Sequence, residues 1–147
     1  MAEYKISPQE LSRLLDMCVQ SKEQLHRPPN VQWPLKIMKI SSVSPYFHHA
    51  NLLIAADCAA FTYSSIASSV NSGHVLMIGC PDGCGSAMHE KLAEIMSHND
   101  IQSVTLLRMD SPCCCRMTDA VIRAIRNSGK DIPLNLTTVF AEGEHVE

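Results

Sequence analysis

The sequence predicts a three-layer α/β domain with a mainly parallel sheet of about four to five strands and an N-terminal helix. From residue 51 onward, short apolar runs alternate with apolar residues at helical spacing. Runs that are apolar on both faces are typical of central strands in a parallel sheet, and the stripes between them are typical of the covering helices. The 147 residues, 46% of them hydrophobic, also have the size and composition of one globular domain.

An amphipathic helix is predicted near the beginning of the chain, from Ser7 to about Leu25. Its apolar residues recur at the i, i+3, i+4, i+7 and i+8 positions. Ser7 is followed by a proline and, three residues on, by Glu10, which is the pattern of a capping box with a first-turn proline. Cys18 lies on the apolar stripe of this helix, and we interpret it as a structural residue.

The core of the domain is predicted to consist of repeated βα units with right-handed crossovers, which is a Rossmann-like arrangement. We expect a first helix on the stripe from Ala59 to Val70 and a last one that stops near Gly129. We treat 1–147 as a single domain, in which an N-terminal helix and linker, 1–34, precede a cysteine-rich α/β core, 35–147. The predicted strands are a short one at 35–40, central ones at 52–56, 75–78 and 104–107, and an alternating edge strand at 134–140.

Charge and hydropathy exclude several classes of function. The net charge is −3, and the 12 lysines and arginines are not clustered, so no basic surface for nucleic acid is expected. The polar first residues do not resemble a signal peptide, and the apolar runs are too short to cross a membrane. We therefore expect a cytoplasmic protein that binds neither nucleic acid nor membrane.

Six of the seven cysteines fall in three groups, each of which follows a predicted central strand. Because the carboxyl ends of parallel strands meet at one edge of a sheet, the topology brings these groups together. Each group also lies at a predicted helix start, where free N–H groups and the helix dipole favour thiolates. The sequence thus predicts one thiolate-rich site, with Cys58 in the first group, Cys80 and Cys84 in the second, and Cys113, Cys114 and Cys115 in the third.

Three of these segments resemble a known family. The segments LIAADCAAF at 53–61, LMIGCP at 76–81 and PCC at 112–114 are similar to the cysteine-rich α/β iron–sulfur-binding domain found in ferredoxin-type proteins of anaerobic bacteria and archaea. The resemblance covers roughly 51–139. It implies an iron–sulfur cluster, with 4Fe-4S the favoured type, and its metal ligands would be Cys58, Cys80, Cys113 and Cys114.

The sequence also departs from the pattern of this family. Asp82, Gly83 and Cys84 follow the Gly-Cys-Pro segment, where the family usually has a lysine and acidic residues, and Cys115 is additional. Cys84 and Cys115 are therefore candidate ligands, redox thiols or supporting donors. The ferredoxin module is missing from this chain, so electron transfer would require a separate redox or iron–sulfur partner protein.

The favoured function is therefore electron transfer or cluster and sulfur handling by an accessory protein, rather than by a stand-alone enzyme. A soft-metal protein that binds or stores Zn(II) or Cu(I) through the same thiolates is the main alternative. Thiol–disulfide chemistry is disfavoured because no C-x-x-C pair occurs. Homo-oligomerisation stays open.

The polar residues around the predicted site indicate a particular function less clearly than the cysteines do. His89 is the one histidine expected near the cysteines, on the helix that follows Cys84. The aspartates at the strand ends are interpreted first as helix caps and turn formers. Two arginines can neutralise a negatively charged site or simply be solvated. The aspartates are Asp57, Asp82 and Asp110, and the arginines are Arg108 and Arg116.

Overall fold

The computed structural model describes residues 7–23, 35–63, 65–66, 73–83, 86–140 and 143–144. These residues form a six-stranded sheet whose first five strands are parallel, while the sixth pairs antiparallel with the fifth. The strands are β1 (Leu35–Lys36), β2 (Ala50–Ala56), β3 (His74–Gly79), β4 (Ile101–Met109), β5 (Leu134–Phe140) and β6 (Gly143–Glu144). Their order in the sheet is β1-β3-β2-β4-β5-β6.

Helices cover both faces of this sheet, which confirms the predicted three-layer α/β architecture. Two long helices pack together on one face, and a short helix packs on the other. The helices are α1 (Pro8–Glu23), α2 (Asp57–Thr62), α3 (Ala87–His98) and α4 (Pro112–Ser128), and 3₁₀ turns lie at Pro45–Phe47 and Pro81–Gly83. In the part of the chain that the structure describes, no helix is both long and apolar enough to cross a membrane.

Strand β2 shows why the sheet is buried on both sides. Leu52 and Ile54 point into the core beneath α3 and α4, whereas Leu53 and Ala55 pack on the side of α2. Because side chains alternate along a strand, one continuous apolar run can fill both layers. The predicted central position of this run is confirmed by the pairing of β2 with both β3 and β4.

The ends of two helices follow the predicted capping signals. Ser7 Oγ accepts a hydrogen bond from the Glu10 amide at 3.2 Å, and the Glu10 carboxylate accepts one from the Ser7 amide at 2.9 Å, which is a capping box. Helix α4 begins after Ser111 and ends at Gly129, whose φ of +71° is a left-handed conformation that glycine adopts without strain. Both predicted helix signals are therefore confirmed.

Three boundaries differ from the sequence prediction. The strand predicted at 35–40 ends at Lys36, because the Lys36 carbonyl accepts hydrogen bonds from the amides of Lys39 and Ile40 and the chain turns. Helix α2 ends at Thr62, whose hydroxyl binds the Cys58 carbonyl, while the end of the predicted stripe, 67–70, lies outside the described residues. Strand β5 is not at the edge, because β6 pairs with it.

The order of the strands creates a crevice at the carboxyl edge of the sheet. The chain runs from β2 to β3 on one side, and β4 then pairs on the other side of β2. The segments that leave β2 and β4 therefore lead to opposite faces, with α2 on one and α4 on the other. Such a topological switch point is the usual position of a binding site in open α/β sheets.

Candidate thiolate site

The described cysteines of the three groups lie at this carboxyl edge. Ala56 and Gly79 are partners across β2 and β3, and Cys58 and Cys80 follow them by two residues and one residue. Cys113 is the second residue of α4, which starts shortly after the end of β4. The predicted positions of these three cysteines relative to the strands are thus confirmed.

The thiols of the third group affect the pKa of Cys58 in the first group. Burial raises the pKa of the Cys58 thiol, and the neighbouring sulfurs of Cys114 and Cys113 raise it further, while the N–H groups of Ala59 and Cys58 oppose this effect. A thiolate at Cys58 is thus disfavoured both by loss of water and by negative charge nearby, which outweigh the N–H groups of the helix start and contradict the expected favouring of a thiolate at this position. Cys113 and Cys114 therefore lie close enough to Cys58 to raise its pKa, across the switch point between β2 and β4.

Cys114 and Cys113 occupy different environments within one helical turn. Cys114 is only 1% exposed and packs with Ala55, Ala59 and Leu107 in the core beneath α2. Cys113 is half-buried, and its Sγ lies 3.2 Å from the Ser111 hydroxyl. Ser111 is the N-cap residue of α4, but its side chain makes no capping hydrogen bond and instead contacts this sulfur. The side chain of the N-cap serine thus contacts a thiol of the candidate site and not the backbone of the helix.

Two packing features hold the segment around Cys80. A Cβ atom at Gly79 would lie 2.9 Å from the terminal carbons of both Ile37 and Met88, so a larger residue here would require these two side-chain ends to shift. The turn Pro81–Gly83 then packs against α4, and Arg116 Nη2 donates to Asp82 Oδ1 in an ion pair. The half-buried Cys80 is thereby attached to the helix that carries the third group.

Cys115 points away from the other cysteines of the site. It is exposed, and its Sγ lies 4.0 Å from Arg108 Nη1. Arg108 also donates to the hydroxyls of Thr118 and Thr138, at 3.4 and 3.3 Å. Successive helical residues are rotated by about 100°, which explains why Cys114 faces the core and Cys115 does not.

The other predicted site residues have specific positions or lie outside the description. Cys84 lies outside the described residues. Asp57 is the first residue of α2, and Asp82 pairs with Arg116, so this arginine is already neutralised within the protein. The Asp110 amide donates to the Val139 carbonyl. His89 is half-buried in the first turn of α3.

Among the residues that the structure describes, no three or more histidines, cysteines, aspartates or glutamates form a group that could hold a metal ion. The described thiols at the carboxyl edge therefore do not form a compact single-ion site.

Sequence reasoning missed a pair of adjoining cavities beside Cys80. They have volumes of about 470 and about 280 Å³ and share Lys36, Asp57 and Ile78 in their walls. The smaller one also contacts Lys39 and Cys80. Lys36 is the second residue of strand β1, which lies parallel to β3, and Lys39 lies three residues further on. The position of Lys36 could have been inferred only if β1 had been placed next to β3.

The fold and the site together define a Rossmann-like α/β protein with cysteines at the carboxyl edge of its sheet. The family of Rossmann-like domains matches residues 44–147, and the chain belongs to this family. It is similar to an uncharacterized protein of Archaeoglobus fulgidus, with 32% identity over 100 residues, which are 67% of this chain and 70% of the relative. No solved structure matches the chain.

Proposed function

We propose that this protein binds an iron–sulfur cluster of the 4Fe-4S type and acts in electron transfer or in cluster and sulfur handling. The ligands would be Cys58, Cys80, Cys113 and Cys114. The observation that supports this proposal best is that Cys113 and Cys114, at the start of α4, pack in the same cluster as Ala59, the neighbour of Cys58, although they follow a different strand.

The chemistry of the donors fits such a group. Iron–sulfur clusters are held by cysteine thiolates, usually four of them. A cationic centre would offset both the burial and the neighbouring sulfur charges that raise the pKa of Cys58, so the same surroundings that disfavour a thiolate without metal can hold one with it. The apolar packing around Cys114 limits access of water on one side of the site.

A single ion and a cluster place different demands on the spacing of their donors. A tetrahedral zinc site with Zn–S distances of about 2.3 Å requires sulfurs roughly 3.8 Å apart. No compact group of this kind is present among the described residues. A cluster contributes its own sulfides and several irons, and it can therefore bridge thiolates that are farther apart.

The proposed role follows from the position of the site. A bound cluster would supply one-electron redox chemistry. Cys58 is exposed, and it lies on α2 at the outer edge of the sheet, so a redox partner protein can approach this side of the molecule. The protein would thus exchange electrons or a cluster with that partner.

The test is metal analysis of the full chain purified without oxygen. We expect a brown protein that contains iron and acid-labile sulfide in similar amounts. Serine variants of the proposed ligands should lose most of the iron and of the visible absorption, and circular dichroism should show that they remain folded. The variants are Cys58→Ser, Cys80→Ser, Cys113→Ser and Cys114→Ser.

Cys115→Ser is the matched control, because this cysteine is exposed in the same helical turn but lies beside Arg108. It should keep its iron and sulfide. Equal loss of iron in Cys115→Ser would contradict the proposed ligand set. A colourless protein with bound zinc or copper and no sulfide would overturn the iron–sulfur proposal and favour the soft-metal alternative.

A further inference from the structure

A pocket for a small organic molecule lies next to the thiolate site, on the face of the sheet that carries α2. The larger of the two adjoining cavities has a volume of about 470 Å³, which is within the range of ligand sites in proteins. Its walls are mostly apolar and come from α2, from β3 and from Ile66. The apolar wall residues are Ala60, Phe61, Ile66, Leu76 and Ile78.

Phe61 is an unusual wall residue because its side chain is 93% exposed. Covering an aromatic ring of this size removes apolar surface from water and is favourable. Here the ring lines a concave apolar surface. A molecule that fills the cavity can contact Phe61 without any change in the core. The pocket therefore favours a ligand with a hydrocarbon body.

The charged residues of the pocket lie at one end. Lys36 and Asp57 belong to the walls of both cavities, and Lys39 belongs to the wall of the smaller one. Two lysines and one aspartate thus line this end, and the net positive charge favours an anionic group there. The head group of a ligand would lie in the cavity that Cys80 also lines.

We propose that these joined cavities bind a small carboxylate with a linear hydrocarbon body, of the size of a medium-chain fatty acid. The carboxylate lies between Lys36 and Lys39, and the hydrocarbon chain lies along α2 and β3 as far as Phe61. The smaller cavity shares Cys80 with the proposed cluster site, but Lys36, Lys39 and Phe61, which would recognise the ligand, are not cluster ligands.

The experiment is a titration of the full chain with octanoate, followed by amide chemical shifts and by calorimetry. Octanoate should shift the amide signals of Lys36, Ala60 and Ile78 and bind more tightly than octylammonium. Affinity should rise about two- to fourfold for each methylene from hexanoate to octanoate, because each added methylene is buried. Equal binding of octylammonium and octanoate, or no binding up to the solubility limit, would overturn the proposal.

Two pairs of variants separate the head group from the hydrocarbon chain. Lys36→Gln should weaken octanoate binding by about three- to tenfold and leave octanol binding unchanged. Lys130→Gln is its control, because Lys130 donates to the Asn99 carbonyl away from the pocket. Phe61→Ser should weaken both ligands, whereas Val43→Ser, which alters another exposed apolar residue, should weaken neither. Unchanged octanoate binding in both Lys36→Gln and Phe61→Ser would refute this site.

The iron and sulfide content of the same samples distinguishes this inference from the proposed function. Octanoate binding by a protein without iron would support the pocket and count against the cluster. A protein with iron and sulfide that does not bind octanoate would support the cluster and exclude the pocket.

Discussion

At the scale of single residues, Cys58 makes the stability of the metal-free protein depend on pH. Its pKa is raised in the folded protein by burial and by the sulfurs of Cys114 and Cys113. The folded state therefore holds the proton more tightly than the unfolded state does. This contribution to stability is fully present below the ordinary thiol pKa of about 8.5 and is lost as the pH rises through the higher folded value.

We predict that the free energy of unfolding of metal-free protein falls as the pH is raised above this ordinary thiol value. Urea unfolding at a series of pH values, in the presence of a reductant and a chelator, measures the effect. Cys58→Ala should show a smaller decline, because the group with the raised pKa is gone. An identical decline in the two proteins would mean that Cys58 does not titrate as the structure indicates.

Cys114 and Cys115 should differ in their effect on stability although they are adjacent. Cys114 is buried among apolar side chains, and a serine there would bury a hydroxyl at a cost of about 1–3 kcal/mol. Cys115 is exposed, so Cys115→Ser should change stability by less than about 0.5 kcal/mol. Urea unfolding of metal-free protein gives both values, and equal values would contradict the opposite orientations of the two side chains.

At the scale of elements, the turn after Cys80 is held to α4 by the ion pair between Asp82 and Arg116. Both side chains are more than half exposed, so Arg116→Ala should cost less than about 1 kcal/mol of stability. We predict that it nevertheless increases the alkylation rate of Cys80 in metal-free protein, because the turn that follows this cysteine is released from the helix.

Arg123→Ala is the matched control for this prediction. Arg123 forms an ion pair of similar exposure with Asp119, but within α4 and away from the turn. It should cost a similar small amount of stability and leave the alkylation rate of Cys80 unchanged. Peptide mass spectrometry after timed alkylation measures this rate. Equal acceleration in both variants would show that general loosening of α4, rather than release of the turn, exposes Cys80.

The elements that the sequence predicts well are those whose pattern is local. Strand β2 is apolar on both faces and is central, and α4 stops at Gly129 as expected. The end of α2 was missed because the apolar stripe continues past Thr62, whereas the backbone at Tyr63 is extended and ends the helix. Strand β6 has two residues and carries no periodic signal, so β5 was wrongly assigned to the edge.

At the scale of the whole molecule, the candidate site could be predicted because topology brings distant cysteines to one edge. The sequence could not show which cysteine of the third group faces Cys58. That choice depends on how the start of α4 packs beneath α2, where Cys114 is covered and Cys115 is not. The pocket beside Cys80 was missed for a similar reason, because its walls combine α2 and β3 with the two-residue strand β1.

The arrangement of the whole molecule also predicts that α1 and Ile37 contribute differently to stability. The described side chains of α1, at 8–16, are exposed, including Leu11, Leu14 and Leu15 at 51, 48 and 57%. Ile37, just after β1, is fully buried in the main core. Removal of residues 1–23 should therefore change the melting temperature by less than about 3 °C, which corresponds to roughly 1 kcal/mol for a domain of this size.

Ile37→Ala is the contrasting variant, because it leaves a cavity in the core between β1 and α3. It should cost about 2–5 kcal/mol and lower the melting temperature by roughly 5–15 °C. Thermal unfolding of the full chain, the shortened chain and this variant provides the comparison. A large loss of stability on removal of 1–23 would mean that the leucines of α1 are covered in solution, and the helix would then have to be regarded as part of the core. A small loss of stability on removal of 1–23, together with a large loss in Ile37→Ala, would mean that the stable core begins at β1. Helix α1 would then lie on the surface and add little to core packing.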